Sequence, residues 1–438
     1  MKNTKVVQGE SLKFKRYAWF TLVGFSFMYA FVYNGRFNME LALPLMDKEL
    51  HMTKTEIEIL TAILYWTYAF GNFVNGRLGE IFGCKRFIMA GVILTVLTNW
   101  IVSMSTSIRI IIILWGLNGF FQSMIWAPGI SLIAQWWPSE KRGFATGFAH
   151  GFSGMAHIIL WFSTMVTMGI FPQYGWRGFF VIPVIFLFIM SFVYWFMSKE
   201  KPRAMNLCDD EGEDEICLER ERVYKKLDLK EGKMFPYKCL FTQWQFCVWC
   251  VISALASITR YGLLTWIPLY YTKKMHMPIK TGIFSTLVLP MGMALGTFIV
   301  PWATDRIWGR NRAIAIIICG ALSALMVFIF PSMMTSTTAI ITIFWSGFFL
   351  YGINGVIWAY SIDVGTRVFA GTAAGILDWA AYMGAAVQAM FFGYILQRTD
   401  SWAYVFAAIA MMCILMVILG IITIRQKGLG CKIEEVKK

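Results

Sequence analysis

Apolar positions gather into twelve long stretches, near 17–44, 56–81, 88–105, 109–132, 142–168, 176–197, 242–271, 281–303, 312–330, 337–362, 370–396 and 402–424. Short polar turns separate them, and one long polar segment runs from about 199 to 241. Most stretches reach the ~20 residues a helix needs to cross the hydrocarbon core. The pattern predicts an all-α membrane protein of twelve transmembrane helices. The first stretch does not read as a cleavable leader: it is too long, it contains Arg36, and it has no small-residue cleavage site.

Composition agrees, with 58% hydrophobic and 15% charged residues and a mean hydropathy of +0.60. The formal net charge of +14 would raise the question of nucleic acid in a soluble chain. Its distribution gives another answer. Of the 39 Lys and Arg, 29 fall in the N-terminus, the 199–241 segment, the C-terminal tail and the short loops of one side, against 8 in the opposite loops. The remaining two are Arg36 and Arg260. Positive residues accumulate on the cytoplasmic side, so the expectation is a plasma-membrane protein with both termini and the long segment in the cytoplasm, and no nucleic-acid partner. The nine cysteines fall mostly in apolar helices or on that cytoplasmic side, where disulfides are rare, and read as small buried hydrophobes. Cys247 and Cys250 form a CxxC without a second pair or a histidine nearby, which argues against a metal or redox role. No cofactor is expected.

The chain repeats on either side of the polar segment. GRLGEIFGCKR (76–86) follows the second stretch and WATDRIWGRNR (302–312) the eighth, so that Glu80 and Asp305 are 225 residues apart. Arg36 and Arg260 are offset by 224, Gly143 and Gly371 by 228, His150 and Asp378 by 228, and the two IWA triplets (125–127, 357–359) by 232. Several matches in one order are the signature of an internal repeat. The expected organisation is a six-helix bundle over 1–198, a cytoplasmic linker over 199–241 with the acidic run Asp209 to Glu215, and a second, pseudo-symmetric six-helix bundle with a tail over 242–438. A like-charge run is normally solvated, and the linker reads as a mobile loop.

Helical spacing sorts the polar residues inside the apolar stretches. Tyr29, Tyr33, Arg36 and Glu40 share a face of the first helix, Tyr65, Tyr68, Asn72 and Asn75 of the second, and Thr146, His150, Ser153 and His157 of the fifth. Ser253, Ser257 and Arg260 mark the seventh helix, and Asp378 and Tyr382 the eleventh. Lipid cannot satisfy such groups, so the stripes are expected to line a polar cavity between the halves. Single tyrosines commonly form interfacial belts and a lone histidine commonly packs, so these gain weight only beside the arginines. A guanidinium stays charged and costs at least ~2.5–3.5 kcal/mol near a bilayer centre. Two of them at matching places suit an anion, and their forks fit a phosphate or a carboxylate. In the turns after the second and eighth stretches, Gly76, Glu80, Gly83, Arg86, Asp305, Arg306 and Arg310 read as helix caps and latches between neighbouring helices.

The six-plus-six layout with these turns resembles the major facilitator superfamily. VYNGRFNMELALP (32–44), FQSMIWAPG (121–129), WWPSEKRG (136–143), ITRYGLLTWIPLYY (258–271) and AGTAAG (370–375) resemble its organophosphate:inorganic phosphate antiporters, the glycerol-3-phosphate and hexose-phosphate transporters. The resemblance implies that Arg36 and Arg260 bind phosphate, that His150 lies beside them, and that Tyr29, Tyr33, Tyr68 and Tyr382 line the cavity. Asn72 stands where glycerol-3-phosphate transporters have a lysine, and Asp378 is not a general family feature. The reading is therefore a non-enzymatic, monomeric exchanger of a small organophosphate for phosphate by alternating access in the lipid bilayer. A membrane sensor of external sugar phosphate acting through a signalling partner, and a proton-coupled organic anion symporter, are the alternatives.

Overall fold

The computed structural model describes residues 2–207, 213, 215–273, 279–332 and 336–424. Cys208, Cys431 and most of the acidic run (209–212 and 214) lie outside the described residues, as does the side chain of His157. Every regular element among the described residues is helical: α1 (Lys2–Val32), α2 (Asn38–Leu50), α3 (Lys54–Phe82), α4 (Cys84–Met104), α5 (Ile108–Trp136), α6 (Arg142–Ile170), α7 (Gly178–Met197), α8 (Glu215–Glu231), α9 (Phe235–Phe241), α10 (Trp244–Lys273), α11 (Ile279–Arg306), α12 (Arg312–Ile329), α13 (Ser336–Thr399) and α14 (Trp402–Thr423). Nine segments among the described residues are long and apolar enough to cross a membrane. One of them, 62 residues long, contains the two stretches expected at 337–362 and 370–396. There α13 departs from helical geometry at Thr366 and Phe369.

The described chain falls into two compact units. The first comprises Met1–Ser139, Met155–Lys226 and Gly365–Trp379; the second comprises Glu140–Gly154, Leu227–Val364 and Ala380–Lys438. Each unit thus contains a short piece of the opposite sequence half.

In the first unit α5 packs on α3 and α4, and α7 packs on α1 and α4. Trp115 and Trp176 close on Phe180 edge-on at 5.9 and 5.8 Å, filling the end of this core. Trp66, Phe70, Phe162 and Phe196 are exposed, a surface suited to lipid rather than water. Helix starts are set by local chemistry. Thr53 and Glu56 form a reciprocal capping box at the start of α3. The Glu200 carboxylate accepts the Cys84 and Lys85 N–H groups at the start of α4, at 2.6 and 2.7 Å. In the last turn of α2, the Arg177 guanidinium 2.6 Å from Glu49, helped by the Trp176 indole, holds the Glu49 carboxyl below the usual carboxylate range.

The polar segment is more ordered than a solvated linker. Its helix α8 presents Cys217, Glu221 and Tyr224 to the protein interior, all buried. These three lie at i, i+4 and i+7, one face of the helix. Glu213, Cys217 and Glu221 bring their acceptor atoms within 4.8 Å of one another, and Arg367 meets them there, with Nη2 2.8 Å from Glu213 and Nε 3.7 Å from Glu221. Tyr224 stacks on Phe369 at 5.1 Å, and Glu213 also accepts the Ser139 N–H. Alternation of apolar and charged residues in LERERVYKKL carries this amphipathic face, whereas net charge alone suggested solvent. Cys239 is disulfide-bonded, contrary to the reading of the cysteines as reduced hydrophobes.

In the second unit α14 packs on α10 and α12. Trp249 and Tyr360 stack with centroids 3.9 Å apart and planes 9° from parallel. Helices α11 and α13 approach through small residues: a Cβ at Gly292 or Gly296 would run into the carbonyls of Phe344 and Phe348, and one at Gly347 would meet the Leu289 carbonyl at 2.6 Å. Gly292 and Gly296 form a GxxxG pair, the spacing that lets membrane helices touch along their backbones. Gly296→Leu should therefore force the two helices apart and lower the thermal unfolding midpoint of the detergent-solubilised protein by several degrees. Met291→Leu, at an exposed position of the same helix, should leave the midpoint within a degree or so of the parent.

Candidate functional site

Arg36 lies in a break between helices, where a single striped helix was expected. After α1 the backbone forms a 3-10 turn over Tyr33–Gly35 and resumes as α2 only at Asn38. Asn34 and Gly35 are weak helix formers, and the break releases backbone groups that lipid could not satisfy. Buried amides meet them. The Gly35 carbonyl accepts from Asn118 Nδ2 and Gln122 Nε2, both at 2.8 Å, and from Asn99 Nδ2 at 3.4 Å. Asn38 donates to Asn99 Oδ1 (2.8 Å) and to the Phe179 carbonyl (3.1 Å), and Asn34 donates to the Pro183 carbonyl (3.0 Å). A Cβ on residue 35 would meet Thr95, Asn99 and Gln122 at 3.0–3.4 Å, so glycine fits this close approach.

The break orients the arginine. Its guanidinium carbon lies 3.9 Å from the centroid of Tyr68 and 5.8 Å from that of Tyr33. The Tyr29 and Tyr33 hydroxyls are 3.3 Å apart, and Tyr29 packs on Trp126 with ring centroids at 4.6 Å. Asn72 is fully buried one turn beyond Tyr68, with its backbone carbonyl against Gly375 of α13. Asp378, also buried, belongs to the same unit and acts electrostatically on Tyr68. This brings Arg36, Tyr29, Tyr33, Tyr68, Asn72 and Asp378 into one neighbourhood. Two members of the expected stripes have other tasks: Asn75 donates to Ser123 Oγ at 2.7 Å, and Tyr65 donates to Glu40 at 3.4 Å.

In the second unit, by contrast, Arg260 sits on the unbroken helix α10. Its guanidinium carbon lies 4.3 Å from the ring centroid of Tyr261 and 5.4 Å from that of Tyr351. Tyr382 is 6.4 Å from Tyr261, ring to ring. The His150 ring is 6.2 Å from Tyr351 and 6.0 Å from Trp358, and its Nε2 is 3.0 Å from Asn354 Nδ2. Thr146 and Ser153 turn their hydroxyls back to helix carbonyls, at 2.8 Å from Arg142 O and 2.6 Å from His150 O, which explains their place on the stripe without a ligand. Sequence reasoning missed Tyr351 and Asn354. Trp126 and Trp358 carried a signal, the IWA recurrence, that was read only as evidence of repetition.

The expected latch residues divide into two groups. Glu80 accepts the Thr372 N–H (2.9 Å) and hydroxyl (2.7 Å), and pairs with Arg77 at 3.4 Å. Asp305 accepts the Phe144 N–H (2.9 Å) and pairs with Arg312 at 2.6 Å. Arg312 also bonds Thr304 and Asp363, and Arg142 adds a second contact to Asp363 at 3.7 Å. The two carboxylates are repeat mates, and so are the helical turns they cap. A Cβ at Gly76 would strike the Gly371 carbonyl, as one at Gly143 would strike that of Pro301. Gly83 takes a positive φ of 93° where α3 turns into α4, and Arg310 takes 65°, its N–H closing the turn after α11 on the Thr304 carbonyl. Arg86 and Arg306 are exposed. Helical spacing does not point to Thr372 and Phe144 as the partners of these carboxylates, or to Asp363 as the second acid against Arg312.

A family model described as Major Facilitator Superfamily matches residues 25–377. A probable hexose phosphate transport protein of Chlamydia pneumoniae is 27% identical, covering 92% of this chain and 90% of its own. The glycerol-3-phosphate transporter of Bacillus subtilis (strain 168) is 26% identical, with 92% of each chain covered. The membrane sensor protein UhpC of Escherichia coli (strain K12) is 24% identical over 85% of this chain and 84% of its own. Among solved structures, the proton:xylose symporter XylE superposes with a TM-score of 0.70 over 98% of this chain and 99% of its own at 12% identity, a likeness of fold.

Two outcomes follow from the geometry. Asn118→Leu and Gln122→Leu each remove a donor from the Gly35 carbonyl and should cost about 1–3 kcal/mol. The double variant should fall short of or exceed the sum of the singles, because both act on one acceptor; thermal unfolding in detergent measures it. Asp305→Asn should destabilise by about 3–5 kcal/mol, since Arg312 loses a buried charged partner. Glu80→Gln should cost less, about 1.5–3 kcal/mol, the value of charge-assisted hydrogen bonds.

Proposed function

The chain belongs to the major facilitator superfamily, and from that premise we propose that it exchanges a phosphorylated small metabolite for inorganic phosphate across the plasma membrane by alternating access. It is a multi-pass membrane protein. The observation that carries the reading is the pair of repeat-related arginines in apolar helices, each laid against tyrosine rings: Arg36 on Tyr68 and Arg260 on Tyr261. A permanently charged group is retained inside a membrane when it meets an anion there. Guanidinium forks match phosphate oxygens, and tyrosine hydroxyls suit the hydroxyls of a sugar or glycerol. The names of the Chlamydia and Bacillus relatives point to the same substrate class.

In this reading the phosphate is bound by Arg36 and Arg260, and the organic part by tyrosines of both halves. The division into bundles at 1–198 and 242–438, the cytoplasmic termini and the monomeric state belong to the same proposal. An empty site would leave two guanidinium charges to be enclosed in low dielectric, which is costly. Bound phosphate offsets that cost, so switching proceeds when the carrier is loaded, and the result is exchange rather than leak.

Arg36→Lys and Arg260→Lys should each abolish most phosphate counterflow in proteoliposomes, because a point charge does not replace a fork. Near-normal exchange by both variants would overturn the two-arginine site. Saturable phosphate binding by the parent without any counterflow would instead indicate a sensor, and uptake driven by a pH gradient without internal phosphate would indicate a symporter.

A further inference from the structure

Tyr351, Asn354 and Trp358 lie at i, i+3 and i+7 of α13, on one face of the helix. All three meet His150 of α6: the rings of Tyr351 and Trp358 flank it, and the Asn354 amide nitrogen lies 3.0 Å from Nε2. Asn354, His150 and Trp358 are 5%, 5% and 2% exposed, so the contact is shielded from water.

The chemistry of this contact fixes the state of the ring. A carboxamide nitrogen carries hydrogens and no acceptor lone pair, so His150 Nε2 must accept. An imidazole that accepts at Nε2 is neutral and carries its proton on Nδ1. The electrostatic surroundings favour the same state. Arg260 on α10 acts electrostatically on His150, and its guanidinium lies 5.4 Å from the ring of Tyr351 on α13. A second positive charge beside Arg260 would be repelled in a buried site.

We infer that Asn354 is a positioning residue that holds His150 neutral with its proton on Nδ1, making His150 an uncharged hydrogen-bond donor to the transported anion that takes up no proton during exchange. This rests on the reading of the chain as a phosphate-ester exchanger and deepens it. Charge on the substrate is matched by the arginines, while His150 contributes direction. The repeat mate of His150 is Asp378, which cannot play this part when ionised because a carboxylate only accepts. The two sequence halves therefore offer the substrate different chemistry at equivalent positions.

The test uses the full-length protein. Histidine labelled with 15N, with His150→Asn used to assign the signal among the four histidines, reports the tautomer directly. The expected spectrum has a protonated Nδ1 and an unprotonated Nε2 from pH 8 down to about 5.5, below the ordinary histidine value of ~6.5. A ring protonated on Nε2, or one that titrates near its ordinary value, would overturn the inference. The second readout is phosphate counterflow in proteoliposomes, taken as the ratio of variant to parent at each pH so that the ionisation of phosphate cancels. Asn354→Asp supplies an acceptor in place of the donor, which favours a protonated Nε2 and an imidazolium. Its ratio should change at least fivefold between pH 8 and 5.5. Asn354→Leu should raise the KM for phosphate about tenfold while changing kcat less, the equivalent of one lost hydrogen bond. Ratios flat with pH and an unchanged KM would refute the positioning role. A parent protein with the expected tautomer but no phosphate exchange would instead refute the exchanger reading.

Discussion

A backbone carbonyl released inside a membrane helix has no water to turn to, and the Gly35 carbonyl is met by three side-chain amides. Much of the first unit is arranged around this requirement. Asn118 and Gln122 come from α5, Asn99 from α4, and Asn38 ties the start of α2 to both α4 and α7. These are polar groups buried in an apolar core, and each would be costly alone. Together they stabilise a turn that the helix-forming tendency of the flanking residues would otherwise close. From that turn Arg36 reaches the face of Tyr68. The charge is held in place by groups that never touch it.

The second unit solves its corresponding problem differently. Arg260 leaves a helix that continues past it and lies against Tyr261 and Tyr351. The repeat is thus closer at the helix ends than in the middle. Glu80 with Thr372, and Asp305 with Phe144, are the same contact made twice, each by a carboxylate capping the first turn of a helical run. Near the arginines the two halves diverge in backbone as well as in side chain.

Much of this was legible in the sequence, for physical reasons that also mark where legibility stopped. Apolar length sets where helices run, and the offset of 224 between Arg36 and Arg260 makes the repeat visible without coordinates. Spacing also placed Tyr29 beside Tyr33, four residues on, whereas Arg36 follows a break in the helix and meets Tyr68 of α3. Partners far apart in sequence were not readable. Nothing in spacing tells that Asn99, Asn118 and Gln122 converge on one carbonyl, or that Asn354 meets His150. The stripe argument also assumed that every polar residue on a face looks into a cavity. Thr146 and Ser153 instead satisfy themselves on their own helix, and Asn75 faces α5. The polar segment was misread because charge was weighed without periodicity: Cys217, Glu221 and Tyr224 face inward at helical spacing, and Arg367 meets the carboxylates.

The capping contacts also constrain the order of events at synthesis. Glu80 waits for Thr372, 292 residues later, and Glu213 waits for Arg367. Early in synthesis Glu80 has Arg77 and Glu213 has the Ser139 N–H, but their remaining donors arrive only with α13. Contacts of such long sequence separation form late. The first compact unit is therefore completed only when residues 365–379 have been made, and it cannot finish as a run of consecutive chain.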